Sequence, residues 1–174
     1  MIKEKLFKSE SEEGLSMSFE FTVETSKGIN EVVNRLKDTL MEDKFGVLWD
    51  FDLTAKLQEK GMDFNTPYRV LEVCNPQEAN RVLNVNKLVG YFLPCKIVVY
   101  EENGKTKVGM PKPSLLIGLT ENKDLYDIAE EIEERLIISI KKAVRLKKKI
   151  IRSKSRRHQT FNGRCLLLFV ISTD

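Results

Sequence analysis

Asn103-Gly104 stands between two strand-like runs, residues 91–100 and 105–110. That dipeptide between apolar runs is the strongest short signal for a two-residue β-hairpin, so the strands it joins are antiparallel. The rest of the chain must be folded around that pair.

Upstream, residues 18–24 alternate apolar and polar side chains as a half-buried strand does, with Phe19, Phe21 and Val23 on one face. From Gly28 the period changes. Ile29, Val32, Val33, Leu36 and Leu40 form a helical stripe that ends near Lys44. Residues 45–53 return to strand character, and strict alternation places Val47, Trp49, Phe51 and Leu53 on one face and Leu48, Asp50 and Asp52 on the other. Thr54 reads as the N-cap of a short helix over 55–60 that Gly61 stops, and residues 67–74 form a third strand. Asn75, Pro76 and Glu78 are the cap, first-turn proline and acid of another helix, whose inner stripe is Ala79, Val82 and Leu83. Beyond the hairpin, Pro111 and Pro113 close the strand, and Asp124 is expected to cap a long helix striped by Leu125, Ile128, Ile132, Leu136, Ile140 and Ala143. The order β-α-β-α-β-α-β-β-α predicts one α+β domain over residues 17–145.

A hydrophobic fraction of 41% over 174 residues suffices for one core of ordinary size. The net charge of +3 is unevenly spread: residues 146–174 carry eight Lys or Arg and one acid, which leaves the remainder acidic. An acidic body argues against a nucleic-acid footprint on the folded domain. Residues 1–16 are expected to be a disordered polar segment. Residues 146–174 are expected to be a basic tail, disordered or not native to the fold, because the run 164–171 continues no pattern of the domain. Three cysteines without a paired framework, and an N-terminus with charges where a secretory leader would need an apolar core, point to a reducing, cytoplasmic setting. No run approaches the roughly 20 apolar residues of a transmembrane span.

The combination of Gly46-Val-Leu-Trp with Phe51-Asp52, Ala55-Lys-Leu, Tyr68-Arg-Val-Leu-Glu-Val-Cys-Asn-Pro with Ala79, and Gly90 followed by Leu93-Pro-Cys-Lys-Ile-Val-Val-Tyr-Glu101 resembles the bacterial and archaeal family called domain of unknown function 302, over about residues 18–145. These motifs are specific together and weak singly. The resemblance implies an α+β fold with an antiparallel sheet packed by helices, a TATA-box-binding-protein-like architecture and, as often in the family, a homodimer; the long C-terminal helix is the one read from the stripe above. It brings no established activity. The chain departs from the commoner pattern after the fifth strand, where Met110-Pro-Lys-Pro stands in place of a Met-Asp-Pro.

Candidate ligand-binding residues are Asp52, Cys74, Asn75 and Cys95. Cys74 closes the third strand just before a helix N-terminus, whose dipole can lower a thiol pKa. Cys95 follows Pro94 near the start of the fourth strand, so on neighbouring strands the two thiols could approach. Against this, free cysteine usually packs as a small apolar residue. The domain has no histidine to complete a metal shell, the cysteine spacing is unlike that of zinc sites, and neither a metal nor a cofactor is named by the sequence. Asp50 and Asp52 share a face, the geometry of a carboxylate pair, although such alternation more often marks a solvent face. Trp49, Phe51 and Tyr68 are expected in core packing, with a ligand pocket as the alternative. No catalytic residues are assigned: nucleophile elbow, phosphate loop and dinucleotide turn are all missing. Three readings follow: a small-molecule or soft-ligand binding module with a cysteine-lined site, a structural or assembly module whose cysteines only pack, and a thiol-dependent enzyme.

Overall fold

The computed structural model describes residues 18–145, so the expectations for residues 1–16 and 146–174 lie outside the described residues. Strand β1 (Glu20–Thr25) leads into helix α1 (Ile29–Glu42), then β2 (Gly46–Asp52), α2 (Leu53–Glu59), β3 (Tyr68–Cys74) and α3 (Pro76–Val85). A 3-10 turn (Lys87–Phe92) precedes β4 (Cys95–Glu102) and β5 (Lys105–Pro111), and α4 (Pro113–Gly118) and α5 (Lys123–Val144) complete the domain. The five strands form one sheet in the order β1-β5-β4-β3-β2, and every pair is antiparallel. The fold is α+β, as the pattern predicts.

The hairpin signal is realised. Glu102 pairs with Lys105, and Asn103 and Gly104 take φ of 52° and 72°. Both central residues of such a turn need the left-handed region, which asparagine and glycine tolerate. Asn75 caps α3 as expected, its side-chain oxygen accepting from the backbone N–H of Gln77 at 3.0 Å and of Glu78 at 3.4 Å. Two caps fall elsewhere than predicted. Asp52, rather than Thr54, opens α2 by accepting from Ala55 N–H at 2.9 Å, and Asn122, rather than Asp124, opens α5 by accepting from Asp124 N–H at 3.0 Å. The hydroxyl of Thr54 is used instead to tie the loop before β3, donating to Thr66 C=O and accepting from Tyr68 N–H.

Helices α1, α3, α4 and α5 gather on one face of the sheet. Val32, Val33, Leu36 and Leu40 of α1 and the whole expected stripe of α5 are buried there against Leu71, Val73, Ile97, Val99, Val108 and Met110. An ion-paired clamp closes that layer: Arg135 of α5 reaches Asp43 after α1 at 2.9 Å and Glu78 of α3 at 2.7 Å, and lies 5.0 Å from the centre of the Phe45 ring. Charged hydrogen bonds satisfied by three elements at once fix the helices' relative positions.

Strand β2 corrects the alternation read from its sequence. Val47 pairs with Val73 but Trp49 pairs with Glu72, so two residues of β2 answer one of β3. This is a β-bulge, and beyond it every side chain changes face. Val47 therefore sits with the helices, while Trp49 and Phe51 stand on the opposite face and Asp50 and Asp52 on the helix side. Trp49, 56% exposed, is not core. Nor is Asp50 on a solvent face: it accepts from Lys37 of α1 at 2.7 Å and is also held by Arg69.

Candidate ligand site

Cys74 ends β3, Cys95 begins β4, and Val73 pairs with Cys95, so the two cysteines come to the same end of the sheet. Cys74, Asn75 and Cys95 share the lining of a cavity of about 20 Å³ with Phe45, Glu78 and Ile132. A water needs roughly 10–15 Å³, so this space holds about one water and no organic ligand. Asp52 is not brought to it. Asp52 lies at the other end of β2, six strand residues from the Gly46–Cys74 pair, or roughly 20 Å at about 3.3 Å per residue. Its carboxylate serves the N-terminus of α2. Asp50, its expected partner, is engaged by Lys37 and Arg69, so the two carboxylates do not act as a pair.

Proximity to the α3 N-terminus does not activate Cys74. Burial pushes its thiol above the ordinary value. The physical reason is visible in the cap: the Asn75 side chain already takes the N–H groups of Gln77 and Glu78, which a thiolate would otherwise have used. Cys95 is shifted further, to about 11, chiefly by burial and secondarily by the neighbouring Cys74. At neutral pH both residues are protonated thiols, soft and uncharged.

On the other side of Cys95 lies a larger space. A cavity of about 240 Å³ opens between α3, the 3-10 turn, the ends of β4 and β5, α4 and α5. Val82, Leu93, Cys95 and Ile132 belong to the walls of both cavities, and Val89, Phe92, Met110, Leu116 and Ile117 complete an aliphatic and aromatic lining. Tyr91 stands at this wall with 84% of its surface exposed. Of the four candidates from the sequence, Cys95 alone lines this cavity. The sequence reading did not find it, although a signal exists. Three of the five prolines, Pro94, Pro111 and Pro113, line it. Proline cannot extend a ladder, so a group of prolines at neighbouring strand ends marks where the sheet stops and space can open.

Among the described residues no three His, Cys, Asp or Glu come together to hold a metal ion. Among them also, no helix is long and apolar enough to cross a membrane.

Residues 21–143 match the family model described as domain of unknown function DUF302. The chain is also similar to a solved structure described as the crystal structure of an uncharacterized conserved protein DUF302 from Bacillus stearothermophilus. The two are 58% identical with a TM-score of 0.70, over 72% of this chain and 98% of that one. No curated protein matches the chain.

Proposed function

We propose, for a chain that belongs to the family of domains of unknown function DUF302, that the domain is a small-molecule binding module whose site is the 240 Å³ cavity with Cys95 in its wall. One observation carries the reading: the cavity joins a mostly apolar lining to a neutral, polarisable sulfur where six structural elements meet. Such concave apolar space with few polar groups is the usual form of a ligand site. Cys74 and Asn75 act behind this wall, the first through packing and the second by fixing the start of α3. The test is methyl chemical-shift mapping of the full chain against pools of small molecules. Binding at the site shifts Val82, Val89, Leu93, Leu116, Ile117 and Ile132 together, and shifts confined to other methyls sink the reading.

A second reading, a homodimer, is favoured by a separate observation. On the sheet face that carries no helical stripe, Trp49, Phe51, Val70 and Val98 form an apolar band, and Trp49 and Phe51 touch with ring centres 5.1 Å apart. A self-complementary patch of this kind is what a two-fold partner covers. Sedimentation of the wild type and of Val98→Glu tests it: a dimer that the substitution splits supports the reading, and a monomeric wild type at tens of micromolar, roughly where stable interfaces persist, ends it.

A further inference from the structure

We infer that the ligand of the 240 Å³ cavity is an uncharged apolar molecule, aromatic or branched aliphatic, without a carboxylate, phosphate or ammonium group. The inference rests on the ligand-binding reading above and narrows it to a chemical class.

Among the described residues no charged side chain points into the cavity between the helices and the sheet. Lys96 is, among the described residues, the only charged side chain in the lining, and it alternates to the open sheet face, where it pairs with Glu72 at 3.3 Å. Among the described residues every buried side-chain nitrogen or oxygen already has a hydrogen-bond partner, so no buried side-chain donor waits for a head group. The Cys95 thiol is held protonated by burial and can supply a soft contact but no charge. An ion placed there would give up its hydration without compensation. Size agrees with this class. An apolar cavity of about 150 Å³ accepts benzene, and the present one has room for one or two rings. Tyr91, set at the wall with most of its surface in solvent, offers a ring that such a ligand would stack on.

Two fluorescent probes that differ by a single sulfonate test the inference: neutral N-phenyl-1-naphthylamine and anionic 8-anilinonaphthalene-1-sulfonate, each titrated into the full chain. The expected result is saturable binding of the neutral probe, at least tenfold tighter than the sulfonate. Leu116→Trp, which fills the cavity, abolishes that binding, and Tyr91→Ala, an exposed position that leaves the core untouched, weakens it severalfold. Equal or tighter binding of the sulfonate, still lost in Leu116→Trp, overturns the inference while leaving the site. Absence of binding by either probe, or binding insensitive to both substitutions, overturns the site itself.

Discussion

The two faces of the sheet are built from the same strands by opposite rules. On the helix side Leu71, Val73, Ile97, Val99 and Val108 are fully removed from water. On the other side, of the strand residues that alternate with them only Gly109 is buried. There, charge pairs and aromatics replace aliphatics: Glu72 with Lys96, Lys105 and Lys107 with Glu24, and Tyr68 stacked on Tyr100 at 5.3 Å. The first face obtains its stability from desolvation and packing, the second from cross-strand pairs that stay wet and contribute far less each. The difference teaches that one face is committed to the core while the other contributes little to it.

The largest expected effect exploits that difference directly. Leu71→Ala opens a hole under the helical layer and should cost about 2–5 kcal/mol in urea unfolding. Val98→Ala, one residue position away on β4 but on the other face, should cost less than about 1 kcal/mol in the monomer. Comparable costs for the two would break the comparison, and would mean that the second face is covered in solution.

An intermediate effect belongs to Asp50, which β2 turns toward the helices and into an ion pair with Lys37 of α1. Burial opposes its ionisation, but hydrogen bonds from Lys37 and Arg69 outweigh that and hold its carboxyl below the ordinary value. A depressed folded-state pKa gives stability that is fully present above the unfolded value near 4 and is lost as pH falls through the folded one. Asp50→Asn should therefore cost about 1–2 kcal/mol at neutral pH and flatten the loss of stability below about pH 4. An unchanged acid limb would show that Asp50 is solvated like the open face.

How much of this was legible in the sequence follows from which interactions are local. The stripes of α1 and α5, the Asn75 cap and the hairpin turn were all readable, because each is set by residues within one turn of each other. The face of Trp49 was not. A bulge depends on pairing with β3, and nothing inside residues 45–53 announces it. The site divides the same way. The place of Cys95 at a strand end is legible, but the cavity it lines is formed by a 3-10 turn, two strand ends and three helices, and only their packing creates it. Asp52 shows the converse: from the sequence alone a capping carboxylate and a candidate ligand residue look alike, and only the fold shows its partner, Ala55 N–H.

The thiols sharpen the comparison at a smaller scale, since Cys95 is on the helix side and Cys74 at the end of the other face's alternation. Both thiols are raised by burial, Cys95 to about 11. In native protein, iodoacetamide should modify Cys74 before Cys95, and both more slowly than in urea. Sign follows from linkage: a raised folded pKa gives stability present below the unfolded value near 8.5 and lost as pH rises through about 11. Cys95→Ala should remove the larger part of that alkaline decline, leaving the smaller contribution of Cys74, measured as the pH dependence of urea midpoints, and an unchanged decline would place its cause elsewhere.

The smallest expected effect is the pair Glu72–Lys96 on the open face. The two residues are directly opposite on β3 and β4, and their charged atoms are 3.3 Å apart. More than half of the Lys96 side chain is in water, so solvent screens the attraction and the long side chain loses entropy in forming it. A double-mutant cycle with Glu72→Gln and Lys96→Met should give a coupling below about 1 kcal/mol that shrinks further in high salt. If this face docks a second copy, the same pair becomes desolvated and its coupling grows with protein concentration. A coupling well above 1 kcal/mol at micromolar protein that falls on dilution would identify the open face as the interface, and one that is small at every concentration leaves it wet.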